Sequence, residues 1–292
     1  MNVFLFPGQG AQFSGMGKEL YESSSAARKL FKEANEVLGW DIDQMMFDGT
    51  EEELKQTKVT QPAIFIHSVI TAKVNSQDKV PAMTAGHSLG EFSALTVAGA
   101  LSFEDGLYLV NERALAMQDA TDETEGTMAA ILGLEDEVIE SICADIDEIV
   151  VPANYNAPGQ LVISGSAKGI ETAVEKLKEA GARRALVLKV GGAFHSPLMQ
   201  SAEKRLAQAI EDTDFHKPVC PVYQNVTATP TLDPAIIQEN LIRQLTAPVR
   251  WKHTMQQMLD DGGELFYEVG GKGGILQGML KKVDRKVQTF SL

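Results

Sequence analysis

A serine nucleophile is the first chemistry that the residue types predict. Gly86-His-Ser88-Leu-Gly90 has the spacing Gly-x-Ser-x-Gly, after a short apolar stretch and before a run of small and apolar residues. In such a turn the serine backbone is strained, so the residues two positions away must lack colliding side chains. A helix after the turn directs free N–H groups at the serine and favours negative charge there. The alternative is a turn serine with a structural role alone, because the pattern also arises by chance.

A serine hydroxyl needs a base, and the chain has five histidines. Four are expected in the core, on the diverging turn beside the serine, or at the surface: His67, His87, His216 and His253. By elimination, His195 in the loop at residues 191–198 is the predicted base, although a loop histidine with a structural role is the alternative. No Asp or Glu is marked as its orienting acid. We therefore expect a Ser–His dyad held by a main-chain carbonyl or an amide side chain.

Arg113 is isolated among acidic residues. It is the only Lys or Arg between Pro81 and Ala167, on a predicted helix over residues 103–119. One interpretation is an ion pair with Glu112 or Asp119, which would contribute little if exposed. The other is a guanidinium that holds a substrate carboxylate through two parallel hydrogen bonds. The sequence leaves both open.

Composition excludes several functional classes. The chain has 292 residues, with 26 Lys and Arg against 40 Asp and Glu, and a net charge of −14. This acidic balance argues against nucleic-acid binding, and the apolar runs are too short to span a membrane. Neither Cys143 nor Cys220 has the spacing of a metal or redox pair, and the N-terminal segment lacks the basic region of a signal peptide. We expect a cytoplasmic monomer without a metal or a bound cofactor.

The positioning elements alternate between strands and helices. The pattern predicts these elements in the first hundred residues: a strand at 2–6, a helix at 20–38, a helix after Gln61-Pro62, a strand at 81–85 and a helix at 89–100. A strand, a tight glycine turn and a helix in that order favour a parallel α/β sheet. Residues 126–190 instead predict the order βαββαβ, typical of a ferredoxin-like unit. We therefore expect a small subdomain at 126–197, inserted between the two parts of a larger one at 1–125 and 198–292.

These motifs together resemble a known family, the bacterial malonyl-CoA:acyl-carrier-protein transacylases, and through them the acyltransferase domains of polyketide synthases. Six segments carry the resemblance in order along the chain: Phe6-Pro-Gly-Gln-Gly-Ala-Gln12, Gly86-His-Ser-Leu-Gly-Glu91, Arg113 with Met117-Gln118, Asn154-Tyr-Asn-Ala-Pro-Gly-Gln160, Ala193-Phe-His-Ser-Pro197 and Arg243-Gln-Leu245. The resemblance implies an α/β-hydrolase-like core with the ferredoxin-like subdomain.

The resemblance also implies residue roles. Ser88 would be acylated and His195 would be the base, with the backbone N–H groups of Gln9 and Leu89 as the oxyanion hole. The implied substrate contacts are Arg113 on the malonyl carboxylate, with Met117, Asn156 and Phe194, the last also narrowing the pocket. Gln244 would orient His195 through its main-chain carbonyl.

The implied activity is transfer of a malonyl group from malonyl-CoA to the phosphopantetheine thiol of an acyl carrier protein in fatty-acid biosynthesis. Alternatives are a free-standing acyltransferase of a polyketide assembly line, a serine hydrolase or thioesterase, and a non-catalytic acyl-binding protein. Acyl carrier proteins are acidic, so we expect docking on a basic patch formed by Arg183, Arg184 and Lys189.

Overall fold

The computed structural model describes residues 1–76 and 79–292. Within these residues the chain forms ten β-strands: β1 (Asn2–Phe6), β2 (Met83–Gly86), β3 (Gly126–Leu132), β4 (Val150–Ala157), β5 (Gln160–Ser166), β6 (Arg184–Val187), β7 (Val222–Tyr223), β8 (Pro230–Thr231), β9 (Leu265–Glu268) and β10 (Gln288–Ser291).

The same residues form thirteen α-helices: α1 (Lys18–Ser23), α2 (Ser25–Leu38), α3 (Ile42–Asp48), α4 (Glu51–Leu54), α5 (Thr57–Asn75), α6 (Gly90–Val97), α7 (Phe103–Glu123), α8 (Asp136–Ala144), α9 (Ala167–Glu179), α10 (Gln200–Glu211), α11 (Pro234–Arg243), α12 (Trp251–Asp260) and α13 (Ile275–Val283). None of these helices has the length and apolarity needed to cross a membrane.

The larger sheet has the strand order β10-β9-β1-β2-β7-β8. Its pairs are parallel except for β7 with β8, which are antiparallel. Four consecutive residues of β1, from Val3 to Phe6, are buried, as expected for a strand covered by helices on both faces. The predicted α/β class is confirmed.

The second sheet is antiparallel and has the order β4-β5-β3-β6. Along the chain its elements follow as β3, α8, β4, β5, α9 and β6, the predicted alternation for residues 126–190. The helices α8 and α9 bury Ile139 and Leu177 in a small apolar cluster with strand residues such as Ile163. Strand β6 is an edge of this sheet, because it pairs with β3 alone among the described strands.

The single helix predicted over residues 20–38 is wrong. The structure has two helices there, α1 and α2, separated at Ser24, whose backbone is extended. The Ser24 hydroxyl accepts a hydrogen bond from the Ala27 N–H and so caps α2. Serine side chains compete for backbone groups in this way, which favours helix starts over helix interiors.

The helix predicted after Gln61-Pro62 begins earlier, at Thr57, and includes the proline. It packs against α7 where Gly106 meets the ring of Phe65, since a side chain at Gly106 would lie 2.7 Å from that ring. This close approach brings Gln61 on α5 and Arg113 on α7 together.

The second sheet contacts the segment before α12 through β4. Val249, before α12, donates its N–H to the Ala153 carbonyl of β4 and accepts from the Tyr155 N–H, at 2.8 and 2.9 Å. The chain that follows β6 lies near the carboxyl ends of β1 and β2, since Phe194 and His195 line one cavity with Gln9 and Ser88. Ligands of open α/β sheets commonly bind at such ends.

Candidate active site

Ser88 lies in a sharp turn between β2 and α6. Its φ is +52°, a left-handed backbone conformation that residues other than glycine rarely adopt. A side chain at Gly86 would overlap the backbone of Gly90, and one at Gly90 would overlap the Phe6 carbonyl. Both glycines are therefore required, and the turn is the predicted strand–turn–helix elbow.

Two amide side chains from distant segments hold the serine backbone. Asn225 accepts a hydrogen bond from the Ser88 N–H at 2.7 Å and donates to the Gly86 carbonyl, also at 2.7 Å. The Gln244 side chain donates to the Ser88 carbonyl at 3.1 Å. These contacts fix a strained conformation whose cost is about 1–3 kcal/mol.

The predicted base lies next to the serine. His195 Nε2 is 2.7 Å from Ser88 Oγ, although the two residues are 107 positions apart. His195 Nδ1 is 2.8 Å from the Gln244 main-chain carbonyl. A carbonyl can only accept, so Nδ1 carries the proton and Nε2 is free to take the proton of the serine hydroxyl.

Burial lowers the pKa of His195 to about 3, with a further lowering by the positive charge of Arg113. The imidazole is therefore neutral near pH 7 and available as a base. His87 has a different role: its Nε2 lies 2.8 Å from Asn156 Oδ1, and burial lowers its pKa too.

Arg113 is buried, with 1% of its surface exposed. It donates to Ser88 Oγ at 2.9 Å, to Gln61 Oε1 at 2.7 Å and to Gln244 Oε1 at 3.2 Å. Burial lowers its pKa to about 9, and Glu91 opposes that shift, so the guanidinium remains charged near pH 7.

The surface ion pair considered for Arg113 is wrong. Glu112 and Asp119 both pair with Arg205 of α10, at 3.1 and 2.7 Å. Those acids lie on the outer face of α7, while Arg113 turns inward. The structure therefore leaves the charged arginine facing the serine.

Gln9 belongs to a turn after β1 that touches the elbow. A side chain at Gly8 would overlap the His87 carbonyl, so the glycine permits this close approach. Leu89 precedes α6 directly. Within residues 1–76 and 79–292, no hydrogen bond from the N–H of Gln9 or of Leu89 is found, and both residues line the cavity described below.

A cavity of about 150 Å³ opens in front of Ser88. Seven of the predicted site residues line it: Gln9, Ser88, Leu89, Arg113, Met117, Phe194 and His195. His87 and four further residues complete the wall: Met128, Asn154, Leu188 and Val190. Asn156, predicted as a substrate contact, does not line this cavity: it bonds His87, and Asn154, two residues earlier, lines the cavity instead. In a strand, residues two apart share a face, but β4 has register shifts between 152 and 157.

The arrangement can perform nucleophilic acyl chemistry on a small acid-bearing group. It combines a hydroxyl, a neutral imidazole, two amide donors and a buried cation around one cavity. In the described part of the chain no cluster of three metal-ligating side chains occurs.

The family follows from comparison with known proteins. The acyl transferase domain family matches residues 3–289. The malonyl CoA-acyl carrier protein transacylase of Bacillus subtilis strain 168 is 45% identical, over 99% of this chain and 92% of the relative. This chain belongs to the acyl transferase family, among the malonyl CoA-acyl carrier protein transacylases.

Solved structures agree with this assignment. An acyl carrier protein S-malonyltransferase from Vibrio cholerae superposes on this acyl transferase with a TM-score of 0.96 and 42% identity, over 100% of this chain and 96% of the other. A malonyl-transacylase solved in complex with its type II PKS acyl-carrier protein gives 0.95 and 38%, over 100% and 95%.

Three buried residues of this acyl transferase site were not predicted: Gln61, Glu91 and Asn225. Glu91 ends the elbow motif, yet nothing in the sequence gave it a partner. Gln61 and Asn225 lie in segments without a catalytic pattern, 27 and 137 positions from Ser88, so an amide there carries no sequence signal.

The predicted docking residues are on the surface and do not line the cavity. Arg183, Arg184 and Lys189 are exposed at and around β6. Between them, Leu186 and Val187 are also exposed, at 62% and 48%. The chain then continues to Leu188 and Val190, which line the cavity.

Proposed function

We propose that this protein transfers a malonyl group from malonyl-CoA to the phosphopantetheine thiol of an acyl carrier protein, through a malonyl ester on Ser88. One observation carries the proposal: Ser88 Oγ is within hydrogen-bond distance of both the neutral His195 and the charged Arg113. A base makes the oxygen nucleophilic, and a cation beside it selects an acyl group with a free carboxylate.

The first half-reaction forms the ester. His195 Nε2 takes the proton of Ser88 Oγ, and the oxygen attacks the thioester carbonyl. The amides of Gln9 and Leu89 stabilise the oxyanion, and loss of one such donor typically costs roughly 3–4 kcal/mol. The carbon–sulfur bond then breaks, and the CoA thiol leaves with the proton from His195.

The second half-reaction reverses the roles. The carrier thiol gives its proton to His195 and attacks the malonyl ester. The Ser88 oxygen leaves and regains the proton. Because one imidazole serves both steps, the free enzyme returns to its starting state with no net proton uptake.

Arg113 determines the choice of acyl group. Its present partners are neutral oxygens of Ser88, Gln61 and Gln244, which a carboxylate can replace with two charge-assisted bonds. An acetyl group offers no carboxylate, so Arg113 would have only neutral oxygens as hydrogen-bond partners in that complex. Met117 and Phe194 bound the remaining space.

The two sheets support a division into two subdomains. We assign residues 1–125 and 198–292 to a large α/β-hydrolase-like subdomain, and 126–197 to a small ferredoxin-like one. Membership of the sheets supports the boundaries, since strands β3 to β6 form one sheet and the remaining six form the other. The cavity draws residues from both, such as Ser88 and Met128.

The decisive experiment is intact-mass measurement. Mixing with malonyl-CoA should add one malonyl group to the wild type and none to Ser88→Ala. Adding the apo and holo forms of an acyl carrier protein should then discharge the ester only with the holo form. Rapid loss of the ester to water would instead indicate a hydrolase, and no loading at all would contradict the proposal. Parallel reactions with fatty-acid and polyketide carriers compare the two pathways, since a relative was solved with a type II PKS carrier.

Carrier docking is proposed on the patch formed by Arg183, Arg184 and Lys189. Cations around exposed apolar residues suit an acidic partner, and β6 leads toward the cavity. Charge reversal by Arg183→Glu with Arg184→Glu should raise the KM for the carrier and leave loading from malonyl-CoA unchanged. The matched control reverses two exposed lysines of α9, Lys176→Glu with Lys178→Glu, and should leave the carrier KM near wild type. Equal effects of the two double variants would contradict this surface.

A further inference from the structure

Glu91 is a buried carboxylate in the first turn of α6, three residues after Ser88, with 1% of its surface exposed. Its Oε1 accepts a hydrogen bond from Gln224 Nε2 at 3.2 Å. Its Oε2 accepts from the Asn225 N–H at 3.0 Å and from Gln244 Nε2 at 2.9 Å. All three partners donate, which is the pattern that a carboxylate satisfies best. Burial of a charge costs free energy unless the charge is paired and hydrogen-bonded, and these three bonds offset that cost for Glu91.

The two residues that donate to Glu91 Oε2 also contact the reacting groups. Asn225 holds the N–H of Ser88, and the main-chain carbonyl of Gln244 orients His195. The Gln244 side chain also accepts from Arg113. Nucleophile, base and cation are thus each connected to Glu91 through one intervening residue.

Charge provides a second connection. Burial raises the pKa of Glu91, against the hydrogen bonds that it accepts and the positive charge of Arg113, which lower it. In turn, Glu91 raises the pKa of Arg113, which burial lowers. The partners that Arg113 reaches directly are neutral oxygens. Gln244 links the two groups in the structure, because its Nε2 donates to Glu91 Oε2 and its Oε1 accepts from Arg113.

We infer that Glu91 is a positioning residue that holds Asn225 and Gln244 in place and balances the charge of Arg113 between turnovers. The inference rests on the proposed function. Without the carboxylate, the elbow and the His195 support loosen, so kcat falls. At the same time Arg113 loses its resident counter-charge, so an acyl carboxylate binds it more tightly in the ground state.

The test is Glu91→Gln, which keeps the shape and removes the charge. We expect kcat for malonyl transfer to fall on the order of 10²-fold, as for misplaced reacting groups. The KM for malonyl-CoA should fall, while the KM for acetyl-CoA stays near wild type. Unchanged kcat, or a KM raised equally for the two thioesters, would overturn the inference.

Gln224→Leu provides a second test if Glu91→Gln does not fold. Gln224 bonds Glu91, Asn240 and the Ile237 carbonyl, and it does not line the cavity. Loss of its bond to Glu91 should lower kcat several-fold without raising the KM for malonyl-CoA. A lower melting temperature with unchanged kcat would show a role in folding alone and overturn the inference.

Glu268→Gln is the matched control. Glu268 is equally buried, but its oxygens accept from the N–H groups of Ile275 and Gln277 at the start of α13. This variant should lose stability without a change in kcat or in the ratio of the two KM values. Loading of the wild type separates failure of the proposed function from failure of the inference. If the wild type does not acquire a malonyl group, the proposed function is wrong. If it does, and Glu91→Gln and Glu268→Gln have the same kcat and KM values, only the role of Glu91 is wrong.

Discussion

The nucleophile elbow (residues 86–90) and the histidine loop (residues 191–197) each position a reactive side chain, but by different contacts. Each holds a reactive side chain at positive φ, +52° for Ser88 and +56° for His195. In the elbow, the glycines two residues to either side make the turn possible. In the histidine loop, the imidazole is oriented from outside, by the carbonyl of Gln244, 49 positions away. Glycines close in sequence thus permit the serine turn, which Asn225 and Gln244 then hold, whereas the base is oriented by a tertiary contact.

The largest expected effect is on activity. His195→Ala removes the base and should lower the rate of loading from malonyl-CoA on the order of 10³-fold, because proton transfer contributes about that much. Stopped-flow or rapid-quench loading measures the rate, and thermal melting checks the fold. A folded variant with a near wild-type rate would show that the loop supplies no base.

Glycine variants compare the two regions directly. Gly86→Ala should destabilise the protein by more than about 3 kcal/mol or prevent folding, because the new Cβ overlaps the backbone of Gly90. Gly191→Ala should have an effect within about 1 kcal/mol, since its Cβ would lie 3.6 Å from the Thr121 side chain, an ordinary contact. Urea unfolding of both variants measures the difference. Similar losses in the free energy of unfolding would mean that the histidine loop tolerates an added Cβ no better than the elbow does.

Arg113 contacts the serine of the elbow, so its removal should affect selectivity. Arg113→Ala should reduce the preference for malonyl over acetyl loading at least on the order of 10²-fold, because the site no longer requires a carboxylate. Intact-mass loading with the two thioesters measures the ratio. The control is Arg205→Ala, which breaks the ion pairs on the outer face of the same helix. An unchanged ratio in Arg113→Ala would contradict the assigned role.

The smallest expected effect is the dependence of stability on pH, which tests the histidine loop alone. The pKa of His195 falls from 6.5 to about 3 on folding, through burial and the charge of Arg113, with a smaller contribution from His87. Between these values the unfolded chain binds a proton that the folded chain does not. The contribution of His195 to the free energy of unfolding is therefore fully present above about pH 6.5, and it decreases as the pH falls toward 3.

His195→Ala should lack this part of the decrease. At pH 5 the wild type should have lost on the order of 1–2 kcal/mol more, relative to pH 7, than the variant. Denaturant unfolding at several pH values gives both curves. Parallel curves would show that folding does not lower the pKa of His195.

Prediction from sequence succeeded where a structure depends on neighbours. The elbow, the α/β class and the order of elements over residues 126–190 follow from glycine spacing and from apolar periodicity. The uninterrupted helix over residues 20–38 failed, because the Ser24 hydroxyl caps a new helix there. The resemblance implied that Asn156 contacts the substrate, and in the structure, where β4 has register shifts, Asn156 bonds His87.

The sequence by itself indicated the serine turn through the glycine spacing, since a side chain at Gly86 would overlap the backbone of Gly90 four residues later. It also marked Arg113, because a lone cation among acids stands out in composition. Tertiary structure decided that Arg113 faces Ser88 and that Gln244 supports His195. It also gathered Gln61, Glu91 and Asn225 around them. These contacts join segments up to 156 positions apart. Hydrogen bonds between such distant groups depend on how helices and sheets pack, and packing leaves no pattern in the residues on either side.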